Sequence, residues 1–186
     1  VPTGATDPGN VATFDAAISG AYSVVITDTT SGCSSTSVSS VVTINAIPTV
    51  TVNSPTVCVG TPATVTATPG AAGTYNYVWT IPTGATDPGN VATFDATLSG
   101  TYSVVITDTA SGCTSLSASG IVTINAIPTV TVNSPTVCAG TPATVTATPG
   151  AAGTYNYVWT VPTGATDPGN VATFEIGRAA SRERVK

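Results

Sequence analysis

Few side chains in this chain can do chemistry, and their types narrow the choice at once. There are four cysteines, Cys33, Cys58, Cys113 and Cys138, nine carboxylates and no histidine. The four basic residues, Arg178, Arg182, Arg184 and Lys186, all lie after residue 174. Before that point a general base or nucleophile would have to be an isolated Asp, Thr or Ser with no His or Lys to activate it, so the reading is that this is not an enzyme. The cysteines recur at a spacing of 80 residues, with no histidine and no CxxC pair. That pattern reads as a disulfide framework in an oxidising compartment, not as a metal site. Asp87, Asn90, Asp95 and Asp108 offer hard oxygens near turns, the kind calcium takes, but without DxDxDG spacing. An Asp before Pro or in a turn is explained by bonding back to its own backbone. No cofactor is therefore expected, and calcium is the one cation that these oxygens would suit.

What must position these residues is a repeated unit. The stretch PTGATDPGNVATF occurs three times, at residues 2–14, 82–94 and 162–174, and a fixed period means one structural unit copied along the chain. Residues 81–126 match 1–46, and 127–174 match 47–94 with changes only at Val59/Ala139 and Ile81/Val161. The expected organisation is the C-terminal half of a repeat over 1–46, a complete repeat over 47–126 and the N-terminal half of another over 127–174. Residues 127–174 and 1–46 together contain a whole repeat, so the ends of different molecules are expected to complement one another head to tail. Composition and register change at Glu175, and residues 175–186 read as a non-repeat, foreign end.

Within the complete repeat the apolar period is two. Ala63, Val65 and Ala67 alternate with Thr64, Thr66 and Thr68, and Tyr102, Val104 and Ile106 alternate with Ser103, Val105 and Thr107. Strands are also read near residues 49–52, 75–79, 91–98 and 121–124, with turns at Pro69-Gly70, Asp87-Pro88-Gly89-Asn90, Gly100 and Asp108 to Gly112. No segment carries a helical period with caps. Short strands spaced by turns predict an all-β fold of tandem antiparallel β-sandwich repeats of 80 residues. Tyr75, Tyr77 and Trp79 share one strand face. Trp79 is expected to anchor the core, whereas Tyr75 and Tyr77 are candidate glycan contacts.

The formal charge of −5, with no basic residue in the repeats, argues against nucleic acid as a partner. No apolar run reaches the length of a membrane span, so membrane insertion is not expected.

The run SGTYSVVITDTASGC, residues 99–113, with Cys58 upstream and Trp79 between, resembles bacterial immunoglobulin-like and PKD-like tandem repeats of large cell-surface adhesins, including the gliding-motility type. The resemblance covers residues 1–174. It implies immunoglobulin-like sandwiches in a secreted or surface-anchored protein, acting as a stalk or multivalent adhesin. The partners it implies are neighbouring repeats, surface glycans and cell-surface proteins. It also implies that Cys58 pairs with Cys113, although Cys113 stands eleven residues after Tyr102 instead of the two of antibody domains. The alternative pairs are Cys33 with Cys58 and Cys113 with Cys138. Loop entropy, about 4 kcal/mol for the longer ring and about 3.5 for the shorter, does not choose between them. The Asp-Thr pairs at Asp28-Thr29 and Asp108-Thr109 resemble O-glycan acceptor sites of secreted proteins of gliding bacteria, which makes Thr29 and Thr109 candidates. A carbohydrate-binding array and a calcium-stiffened linker of a secreted enzyme are the alternative readings.

Overall fold

The computed structural model describes residues 1–176, and the tail read as foreign lies outside the described residues from position 177 on. The chain divides into two compact units, Val1–Ile124 and a second beginning at Asn125. Every regular element among the described residues is a strand.

In the first copy only a hairpin forms, β1 (Gly20–Val24) with β2 (Val38–Val42), antiparallel with Gly20 opposite Val42. The complete repeat has seven strands: β3 (Val50–Val52), β4 (Thr56–Cys58), β5 (Ala63–Pro69), β6 (Tyr75–Thr80), β7 (Thr93–Ala96), β8 (Gly100–Asp108) and β9 (Ala118–Asn125). They build two sheets, in the orders β3-β5-β7 and β4-β9-β8-β6. The edge segment is broken at Asn53-Ser54-Pro55, so its first piece joins one sheet and its second the other. Proline suits such a break because it has no N–H to give to a ladder. Two facing antiparallel sheets with this connectivity are an immunoglobulin-like β-sandwich.

The core follows the period-two pattern. Ala63, Val65 and Ala67 of β5 face Tyr102, Val104 and Ile106 of β8 and Val122 of β9, and all are buried. Trp79 packs on this cluster from β6 and meets Phe94 edge-on at 4.9 Å, and Phe94 lies 5.7 Å from the Tyr102 ring. Val104, two residues after Tyr102, stands where antibody domains carry the second cysteine of their inter-sheet disulfide. Apolar packing of Val104 and Ile106 on Ala67 takes the place of that bond.

In the third copy β10 (Val130–Val132), β11 (Ala143–Pro149) and β12 (Thr173–Ile176) form one three-stranded sheet. Its registers repeat those of the complete copy: Val130 is opposite Pro149, as Val50 is opposite Pro69. Glu175 and Ile176 stay in the ladder opposite Thr144 and Ala143, so the compositional break at Glu175 does not end the strand.

Candidate functional site

The motif common to all three copies is a strap. It leaves β6 at Pro82, where Ala85 N donates to Pro82 O at 3.0 Å, and turns again where Gly89 N donates to Asp87 Oδ1 at 2.8 Å. Gly89 has φ +72°, a conformation that costs a residue with a Cβ. These turns aim Asn90 back at the free edge of β6. Its Oδ1 accepts the Tyr77 backbone N–H at 2.6 Å, and its Nδ2 donates to Asn76 Oδ1 at 3.0 Å. Trp79 Nε1 donates to Val91 O at 2.9 Å, and Ala67 N to Ala92 O at 2.8 Å. The strap thus covers an open strand edge, which would otherwise be a template for aggregation, and ties the two sheets together. The clamp recurs in the third copy, where Asn170 Oδ1 accepts Tyr157 N at 2.6 Å and Trp159 Nε1 donates to Val171 O at 2.8 Å. Nothing in a turn signal announces the role of Asn90, which the sequence presents only as a turn residue after Asp-Pro-Gly. Asn90→Ala removes both bonds and should destabilise the complete repeat by about 1–3 kcal/mol, read from urea unfolding. An unchanged midpoint would mean that water serves the Tyr77 amide equally well.

A second motif lies at the opposite end of β8. The Asp108 carboxylate accepts the Ala110 N–H at 3.0 Å and the Ser111 hydroxyl at 2.7 Å, while Asp108 N donates to Cys113 O at 2.9 Å. The Ala110 bond first, then Ser111, holds the Asp108 carboxyl below its ordinary value. In the first copy Asp28 is lowered by Ser31 first and then by the Thr30 N–H. Ser115 Oγ closes the base of the turn by accepting the buried Ile106 N–H at 3.0 Å. At the near end of β8, Tyr102 donates its hydroxyl to Leu98 O at 3.0 Å, four residues upstream, and burial raises its pKa. This tyrosine corner recurs in the first copy as Tyr22 to Ile18 O at 2.8 Å.

These two ends separate the cysteines. Cys113 sits in the turn beyond Asp108, and its Sγ lies 3.9 Å from Asn45 O, where the preceding copy ends. Cys58 closes β4, which lies beside β9 with Thr123 N donating to Pro55 O at 3.0 Å; Val57 packs in the same cluster as Ile124. That is the Gly100 end of β8, because Gly100 is opposite Val122. The nine residues of β8 span roughly 26 Å at about 3.3 Å each, whereas a disulfide needs Cα atoms about 4.4–6.8 Å apart. All four thiols are free. The Cys58–Cys113 bond implied by the resemblance is therefore corrected: the fold puts its two ends at opposite poles of one repeat.

Tyr75 and Tyr77 are half-buried and pack beside Trp79 on the Ala67, Val104 and Ile106 cluster, and the Tyr75 hydroxyl donates to Ala71 O at 3.1 Å. Thr29 and Thr109 are exposed on equivalent turns, and Thr109 Oγ1 donates to Thr74 O at 3.0 Å. The carboxylates are dispersed, Asp87 and Asp108 on their turns and Asp95 Oδ1 accepting the Thr64 hydroxyl at 2.7 Å across β5 and β7. Among the described residues no three His, Cys, Asp or Glu come together as metal ligands. No helix of the described residues is long and apolar enough to cross a membrane.

No protein-family model and no curated protein matches the chain. Among solved structures it is similar to the N-terminal eight Ig domains of Down Syndrome Cell Adhesion Molecule isoform 1.30.30, at 14% identity and a TM-score of 0.41. That match covers 70% of this chain and 21% of the other, so the chain spans about a fifth of its length. The sandwich itself stands on the strand order and registers of residues 50–125, and these make the complete copy an immunoglobulin-like domain.

Proposed function

We propose that this chain is a segment of a structural and adhesive array, a stalk or multivalent adhesin of a secreted or surface-anchored bacterial protein. One observation carries the reading: the motif kept in every copy braces the repeat wherever its YNYVW segment is present. Asp87 shapes the turn, Asn90 and Val91 strap the edge of β6, and no side chain of the motif is left as part of a reactive cluster. A unit selected in this way serves by being stable and repeated, and repetition multiplies weak contacts. Neighbouring repeats are its first partners, with glycans or cell-surface proteins as targets at the tip or along the array. Thr29 and Thr109 are its proposed O-glycan positions, on turns that face solvent.

Single-molecule pulling together with a soluble polysaccharide panel tests this. A structural unit should give one unfolding event of about 80 residues, each releasing roughly 3.5 Å of chain, and no saturable polysaccharide binding that depends on Tyr75 or Tyr77. Saturable binding that Tyr75→Ala or Tyr77→Ala abolishes would replace this reading with a carbohydrate-binding array. A melting temperature lowered by a calcium chelator would replace it with a calcium-stiffened linker.

A further inference from the structure

The two incomplete copies carry the two halves of one core. In the complete repeat Ala67, Val104 and Ile106 form a cluster with Val50, Val52, Tyr75, Tyr77 and Trp79. In the third copy the counterparts Val130, Val132, Ala147, Tyr155, Tyr157 and Trp159 line an open groove of about 310 Å³. What that groove lacks is the pair on β8, and the counterparts of that pair are Val24 and Ile26. Those two are 58% and 70% exposed in the first copy, against 1% and 0% for Val104 and Ile106. A second groove, of about 420 Å³, runs beside β1 and β2 and includes Phe14, Tyr22 and Val38. Residues 155–160 also lack a strand partner: their counterpart β6 pairs with β8 from Tyr75↔Asp108 to Thr80↔Ser103.

We propose that copies of this chain join head to tail by strand complementation, β1 and β2 of one copy completing the sandwich begun by β10, β11 and β12 of the next. The complete repeat inside the same chain is the template for the pairing; residues 1–14 and 161–174 both correspond to 81–94, so one of these duplicates yields its place in the assembly. In the single chain these faces stay uncovered: Val24 and Ile26 are exposed, and the groove lined by Tyr155, Tyr157 and Trp159 is open. The first copy ends at the Cys113 pole of the complete repeat, and the chain leaves β9 at the Cys58 pole. The contact is heterologous, so it propagates. Where further repeats precede or follow, they fill the same faces in cis.

One position resists. Ser40 stands at the counterpart of Gly120, where an added Cβ would collide with Asn53 O and meet Val52 Cγ1 at 2.9 Å. The counterpart segment at Asn133 must give way by about an ångström to admit Ser40. This makes Ser40 a handle, because it is exposed in the single chain and crowded only in the assembly.

The cysteines supply a second readout. A completed repeat carries Cys33 of the incoming copy at the pole equivalent to that of Cys113, and Cys138 of the receiving copy at the pole equivalent to that of Cys58. At each junction an equivalent of Cys113 then meets an equivalent of Cys58 from the repeat before it. The pairs are Cys58 with Cys33 of another copy and Cys138 with Cys113 of another copy. Oxidised glutathione is the oxidant: each S–S bond forms as two thiols give up two electrons and two protons, and the oxidant leaves as two reduced glutathione molecules.

Sedimentation velocity of the 186-residue chain, under reducing conditions and over a range of concentrations, tests the assembly. The expected result is a series of species at multiples of 18.2 kDa. Val24→Asp should weaken association at least a hundredfold, since it buries an unpaired charge, and when mixed at low ratio should shorten the wild-type series by capping it. Ser40→Gly should tighten association about tenfold. Both side chains are exposed in the single chain, so neither variant should move the unfolding of the complete repeat. A monomer at every concentration, or oligomers indifferent to both variants, overturns the proposal. With oxidised glutathione and a mixture of light and heavy-isotope chains, the Cys33–Cys58 and Cys113–Cys138 peptides should be of mixed isotope; same-isotope pairs only, or four free thiols, overturn the pairing. Failure here leaves the array reading standing, since that is decided by pulling and polysaccharide binding.

Discussion

Ile106→Ala lowers the stability of the complete repeat by about 2–5 kcal/mol, whereas Ile26→Ala, at the same position one period earlier, changes it by less than about 0.5 kcal/mol. The two residues have the same type and the same neighbours in sequence, TD following each. Ile106 is buried between the sheets with Ala67 and Val104, so truncation loses both the transfer of its methyl groups from water and the packing around them. Ile26 has no opposing sheet within its own copy. Urea unfolding of dilute, reduced chain reads both values. Equal losses would mean that the first copy is folded against something, and would undo the assignment of residues 1–46 as half a sandwich.

Trp79→Ala should cost about 3–5 kcal/mol, the range for truncating a packed tryptophan. The indole is only half-buried, which argues for the lower end, but it has two jobs. Its ring meets Phe94 edge-on at 4.9 Å, and its N–H donates to Val91 O, fastening the strap to β6. Trp79→Phe keeps most of the first and loses the second, and should cost about 1 kcal/mol more than any change in ring packing. A loss under 1 kcal/mol for Trp79→Ala would show that the strap holds without its indole, leaving Asn90 as the fastening.

Much of this was legible in advance. The alternation in Ala63 to Thr68 and in Tyr102 to Asp108 named the two central strands and their buried faces, because a pleated strand sends successive side chains to opposite sides. Trp79, a core anchor by its place on a central strand, packs as one. The strand read over 91–98 is shorter, Thr93–Ala96, because Val91 and Ala92 bond to Trp79 and β5 as part of the strap. The cysteine pairing was not legible. Spacing along the chain does not say at which pole of a sandwich a residue emerges, and strands that reverse direction can put two turn cysteines at opposite ends. The clamp by Asn90 was hidden for a related reason: an Asn in a turn suggests a bond to its own backbone, and only the fold brings Tyr77 N within 2.6 Å.

Sequence alone determined the 80-residue unit, its strand faces and the turns of the Pro-Thr-Gly-Ala-Thr-Asp-Pro-Gly-Asn motif, which form in all three copies: Gly9, Gly89 and Gly169 each donate to the Asp two residues before. These are local bonds between near neighbours, and they need nothing else. Tertiary structure decided the rest. The same residues YNYVWT make β6 in the complete copy and no strand in the third, and the same T-F-D-A that makes β7 makes none in the first. A strand's hydrogen bonds go to another strand and its apolar face to another sheet, so an identical stretch is structured only where the partner that completes it is present.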